Sequence, residues 1–180
     1  MYALKNTGKI ALCAMLAALS SAFMLISYFP YLTYAIPAVA GLFIMIAVIE
    51  IDIKWATLTY LSSAVIVALI AEPEAKMLYI LFFGYYPILK SIFERLKNRL
   101  IEYLLKFLLF NAAIIAAYAF VATLLGVSVG EMGDFGEYTA IVLLLSANVV
   151  FPIYDAAVSR MAQFYLARLH SQIAKIFKGK

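Results

Sequence analysis

Histidine and cysteine are almost absent from this chain, and charge is scarce. Its 180 residues hold one His, one Cys and 13% charged residues, against 67% hydrophobic residues. The single cysteine, Cys13, sits in an apolar run; it excludes an intrachain disulfide and any metal site built on cysteines. The lone histidine, His170, lies in a basic C-terminal stretch, where a surface residue is expected rather than a ligand. No Ser–His–Asp set is offered, and the GxxxxGK[ST], HExxH and CxxC patterns are missing. A membrane protease built on paired aspartates needs two of them inside spans, and only Asp155 qualifies. The chain is therefore expected to be no enzyme, to need no cofactor and to lack a nucleotide-driven motor of its own.

The scarcity of charge also sets the class. A soluble domain is about half apolar and about a quarter charged, and this chain has a mean hydropathy of +1.00. Six apolar blocks are visible, at about 9–28, 34–49, 55–71, 76–89, 104–125 and 139–160. A membrane-crossing helix needs about 20 such residues, so six of them leave only short loops. The charges between the blocks alternate. Of the 14 Lys and Arg, all but Lys76 fall before block one, between blocks two and three, around the four–five junction, or on and after the end of block six. Loops of cytoplasmic parity carry such an excess. The acids of the opposite parity are Glu72, Glu74, Glu131, Asp134 and Glu137. The expected fold is an all-α integral membrane bundle of six transmembrane helices with both termini cytoplasmic. The net charge of +4 is then explained by anionic lipid, without nucleic acid. The first block follows Lys5 and Lys9, and it continues past the small residues that would suit signal cleavage, so it is read as an uncleaved span.

Several local features refine this picture. Block one ends at Phe29-Pro30, among Tyr28, Tyr31 and Tyr34, which read as an interfacial aromatic belt. Gly84 and Pro87 predict a kink in block four. From Lys90 to Lys106, apolar residues recur at helical spacing among charged ones, which predicts an amphipathic helix or helical hairpin at the inner surface. Residues 161–180 read as a second amphipathic, basic segment. The acidic, glycine-rich loop from Gly126 to Glu137 lacks the ligand spacing of a calcium loop.

Polar residues inside spans are costly and therefore informative. They are Asn111, Ser146, Asn148 and Asp155. For the asparagines, interhelical hydrogen bonding stands beside ligand contact. For Asp155, a pair with Arg160, Lys106 or another inner basic residue is expected, with a proton-coupling carboxylate as the alternative. For Lys76, pairing with Glu72 or Glu74 is expected, and contact with an anionic ligand is the alternative. Ala14, Ala18 and Ala22 repeat at four-residue spacing in block one, a smooth face on which another helix, of the same bundle or of another protein, can approach closely.

Together these features resemble the substrate-binding S component of energy-coupling factor (ECF) vitamin transporters. The likeness lies in the size, the six helices with both ends inside, the basic start Lys5…Lys9, the Ala14-Met15-Leu16-Ala17-Ala18 face and the Phe29-Pro30 end of helix one. The loop from Phe29 to Thr33 is shorter than the gating loop often found there. The resemblance implies a membrane-embedded subunit that binds a vitamin-like small molecule from outside. It would dock through block one on a transmembrane coupling subunit driven by two ATPases. Residues placed to meet substrate would be Tyr31, Tyr34, Glu72, Lys76, Tyr79, Tyr138 and Asn148; Ala14, Ala18 and Ala22 would meet the partner. The competing reading is a non-transporting six-span scaffold of a cell-envelope assembly, similar to the rod-shape protein family. A proton- or ion-coupled carrier is disfavoured by the lack of an intramembrane charge network and of a visible inverted repeat.

Overall fold

In a computed structural model the described residues, 6–29, 31–125 and 138–170, are helical or in short connections, with no strand among them. The helices are α1 (Asn6–Met24), α2 (Ala35–Glu50), α3 (Ile53–Ile70), α4 (Pro73–Leu78), α5 (Tyr86–Phe93), α6 (Arg99–Leu125) and α7 (Thr139–Phe164). The chain divides into two compact units, residues 1–92 with 158–180, and residues 93–157. The Gly126–Glu137 loop and the last ten residues of the tail (171–180) lie outside the described residues.

In the first unit, α1 packs against α2 and α3. Its inward stripe is Leu12, Cys13, Leu16, Ala17, Ser20, Ser21 and Met24, the three- and four-residue spacing of one helix face. A 3₁₀ turn, Leu25–Tyr28, ends it, and Phe29 is extended as the residue before a proline must be. α2 begins with Pro37 in its first turn, and Ala40, Gly41 and Ala47 bring its backbone close to its neighbours. α3 starts on an N-cap: the Asp52 side chain accepts the Trp55 N–H at 3.0 Å. Lys9 Nζ lies 6.0 Å from the centre of the Trp55 ring, so the start of α1 and the start of α3 share one end.

The kink expected from Gly84 and Pro87 is present, and it has a specific form. After α4 the chain widens into a π-helical turn, Tyr79–Phe83, in which the Gly84 N–H reaches back to the Tyr79 carbonyl at 2.8 Å. The Tyr60 hydroxyl donates to the carbonyl of Ile80 within this turn at 2.7 Å. Gly84 is required here because a Cβ would sit 2.7 Å from the Tyr60 ring and 2.9 Å from the Tyr79 oxygen.

In the second unit, α6 and α7 run antiparallel. Lys106 meets Asp155, Phe110 stacks on Phe151 with centroids 4.4 Å apart, and Asn111 meets Asn148. As the α6 number rises, its α7 partner's falls.

The distribution of polarity is inverted relative to a water-soluble bundle. Leu100, Leu104, Leu108 and Ile115 of α6 are exposed, while Glu102 and Lys106 are buried. On α3, Leu58, Leu61, Val65 and Leu69 face outward, while Thr59 and Ser63 face inward. Water would penalise that arrangement, whereas hydrocarbon rewards it. Among the described residues, three helical stretches, Asn6–Tyr28, Ile53–Ile70 and Arg99–Ala117, are long and apolar enough to cross a membrane. These features mark an all-helical, membrane-associated protein.

Replacing Gly84 with Ala is expected to destabilise the fold by about 1–3 kcal/mol, the usual cost of overpacking. Thermal unfolding in detergent checks this. The loss should shrink when Tyr60 is also shortened to Leu, and an unshifted melting temperature in the single variant would contradict the close approach.

Candidate functional site

The first unit gathers one group of polar and aromatic residues at the end formed by the α1–α2 and α3–α4 connections. The Tyr28 hydroxyl donates to the Ile70 carbonyl at 3.0 Å, fixing the 3₁₀ turn to the end of α3. The Tyr34 hydroxyl donates to Glu74 Oε2 over 3.4 Å. Lys76 Nζ donates to the Ala68 carbonyl, also at 3.4 Å. Tyr31 is 97% exposed and has a φ of 69°, a left-handed conformation uncommon for a non-glycine residue. Thus Tyr31, Tyr34, Glu72 and Lys76 of the expected substrate set are brought to one end of this unit. The expected Lys76 pair with Glu72 or Glu74 does not form. The ammonium group turns instead to the carbonyl end of α3, where the helix dipole favours a cation.

Tyr79, also in the expected set, is fully buried. Its hydroxyl lies 2.8 Å from Ser20 Oγ and 2.7 Å from Ser63 Oγ. Ser20 in turn donates to the Ala40 carbonyl at 3.0 Å. This network joins α1, α2, α3 and the π-helical turn, so Tyr79 is part of an interior clasp rather than of the exposed rim.

The remaining two, Tyr138 and Asn148, belong to the second unit. Tyr138 is exposed. Asn148 and Asn111 form a reciprocal amide pair: each Nδ2 donates to the other's Oδ1, at 2.9 and 2.8 Å. Each also donates to its own helix, Asn111 to the Phe107 carbonyl and Asn148 to that of Leu144. All four amide N–H groups are used, so interhelical hydrogen bonding accounts for both asparagines. Ser146 bonds back to the Val142 carbonyl.

One turn from the amide pair, Phe151 packs against Phe107 and Phe110. Beyond it lies a charged cluster. Lys106, 2% exposed, meets Glu102 at 2.8 Å, Asp155 at 3.2 Å and Glu94 at 3.5 Å. Lys106 is therefore the basic partner expected for Asp155. The companions of Asp155 were hidden in sequence because residues 90–106 resemble an amphipathic surface helix. The break between Phe93 and Arg99 is compatible with the hairpin alternative; the correction is that Glu102 and Lys106 turn inward on α6 instead of facing the surface. His170 keeps a partly exposed side chain, as expected of a surface residue, and also makes a long-range contact. Its Nδ1 lies 2.8 Å from Glu50 Oε1, which accepts the Tyr165 hydroxyl at 2.6 Å. Glu50 is buried, so this pair ties the described end of the chain to α2.

The last element is the outer face of α1. Ala14, Ala18 and Ala22 are all exposed, beside Ala11, Met15 and Leu19, while the opposite stripe fills the unit's core. Among the described residues, no group of three or more His, Cys, Asp or Glu is arranged to hold a metal ion. No protein-family model, curated protein or solved structure matches the chain.

Lys106→Met is expected to cost about 3–5 kcal/mol, because it strands Glu102 and Asp155 without their cation. Asn111→Ala should cost less, about 0.6–2 kcal/mol. Adding Asn148→Ala to Asn111→Ala should cost less than the sum of the two single changes. Unfolding in detergent of this set of variants measures both orders, and strict additivity of the asparagine changes would contradict the amide pair.

Proposed function

We propose that this chain is the membrane-embedded substrate-binding subunit of a small-molecule uptake transporter of the ECF type, energised by a separate coupling subunit and ATPase pair. The observation that carries the reading is the exposed face of Ala14, Ala18 and Ala22 on α1. Alanines let a second helix approach closely, with little side-chain entropy lost on contact. The residues flanking this face are apolar, so a helix within the bilayer can cover it without stranding a polar group. The missing nucleotide-binding loop fits a subunit whose energy comes from elsewhere.

In this reading α1, α2, α3, the broken α4–α5 segment, α6 and α7 are six passes of the cell membrane. The basic residues then place both termini in the cytoplasm. The end bearing Tyr28, Tyr31, Tyr34, Glu72 and Lys76 faces outward and receives the substrate, a small vitamin-like molecule. The end bearing Lys9, Trp55 and Glu50 faces inward. Docking through α1 lets the coupling subunit tip the bound protein and release its load inside.

Replacing both Ala14 and Ala18 with Trp should abolish co-purification with a coupling subunit and an ATPase pair from the native membrane, without lowering the melting temperature. A complex that survives the double change would show that this face is not the docking surface. A wild-type protein that purifies with no ATPase favours the envelope-scaffold reading instead.

A further inference from the structure

In the second unit, the turn that leads into α6 separates its charges by sign. The Leu96 N–H donates to the Phe93 carbonyl at 3.0 Å, and Asn98 caps α6, its Oδ1 accepting the Leu100 N–H at 3.0 Å. The two acids between Phe93 and Lys106 are drawn to the Lys106 ammonium, Glu102 at 2.8 Å and Glu94 at 3.5 Å. The cations of the turn stay outside. Arg95 and Lys97 are exposed and form no salt bridge among the described residues. Arg99 is 82% exposed, and only a 3.9 Å approach links it to Glu102. Leu100, Leu104 and Leu108 follow as an exposed stripe at four-residue spacing. They lie on the stretch Arg99–Ala117, which is long and apolar enough to cross a membrane.

Three cations in the five residues 95–99 do not serve the helix, whose positive end disfavours them. They stand where an exposed apolar stripe begins, and the two features together select a partner. A soluble anion would meet the charge and leave the leucines uncovered. A zwitterionic lipid would cover the leucines but already carries its own cation. An anionic phospholipid answers both: its phosphate accepts from Arg and Lys, and its chain lies against the leucines. We propose that the turn before α6 is a binding surface for anionic phospholipid, with Arg95, Lys97 and Arg99 meeting the headgroup and the Leu100–Leu104–Leu108 stripe carrying an acyl chain. The buried Lys106 makes this surface possible, because it holds the nearby carboxylates that would otherwise neutralise the turn. The proposal is independent of the transporter reading: a coupling complex, found or missing, leaves it unchanged.

The test titrates the full-length protein in detergent with phosphatidylglycerol and with phosphatidylcholine of the same chains, and counts bound lipids by native mass spectrometry. The first phosphatidylglycerol should bind about fivefold or more tightly than the first phosphatidylcholine, the effect of a single cation near an anionic headgroup. Arg95→Gln, Lys97→Gln and Arg99→Gln together should remove that preference. Lys9→Gln, Lys54→Gln and Arg160→Gln together lower the net charge by the same amount and should retain it. Equal affinity for the two lipids in the unaltered protein, or equal loss of preference in both triple variants, would overturn the proposal. So would displacement of the lipid by inorganic phosphate, which would make the turn a soluble-anion site. Unchanged lipid binding in the first triple variant, with an acidic protein lost from the preparation, would assign the surface to a protein instead. If that variant fails to fold, Arg95→Gln with Lys97→Gln, which breaks no ion pair, takes its place. It should weaken phosphatidylglycerol by about tenfold or more and leave phosphatidylcholine unchanged.

Discussion

Among the described residues, most buried hydroxyls, amides and charges find partners within the helices, whose outward faces carry leucine, isoleucine, valine and aromatic rings. In hydrocarbon a polar group left without a partner costs several kcal/mol. That constraint organises both units. In the first, the Tyr79 hydroxyl holds Ser20 and Ser63, and the Tyr60 hydroxyl serves a carbonyl in the widened turn after α4. In the second, the Lys106 cluster and the Asn111–Asn148 pair bracket a layer of three phenylalanines. Specific pairing at both ends of that layer fixes the register of α6 against α7, where apolar contacts alone would tolerate sliding.

The same constraint separates structural polar groups from candidate functional ones. Asn148 and Tyr79 are spoken for by neighbours, so substrate contact through them would require breaking bonds already made. Glu72 Oε2 is the contrasting case: buried, acceptor-only when ionised, and without a donor. It lies at an end rich in exposed tyrosine. The Ala14–Ala18–Ala22 face is a different kind of opening, free of polar groups and suited to a close helix contact.

Much of the helical layout was legible in the chain itself. Phe29-Pro30 ends a helix by local chemistry, and the observed α1, α2 and α3 follow the apolar blocks within a few residues. Four-residue spacing put Ala14, Ala18 and Ala22 on one side of a helix, but it left open whether that side packs within the bundle or faces outward; the structure exposes it. What local pattern could not show was pairing at long separation. Glu102 and Lys106 look like the polar face of a surface helix until Asp155, 49 residues from Lys106, is seen to complete their cluster. Tyr79 entered the substrate set through the resemblance alone. Its hydrogen bonds to Ser20 and Ser63 join residues 59 and 16 positions away, which no local pattern shows.

The central claim is that this chain works as a binding subunit borrowed by a separate motor. Native mass spectrometry of the gently extracted, unaltered protein tests it most directly. The expected spectrum contains one copy of this chain with a coupling subunit and two ATPase subunits, together with a fraction of the free chain carrying a small bound molecule. A spectrum showing only the bare chain, or assemblies of this chain with envelope proteins and no ATPase, would contradict it.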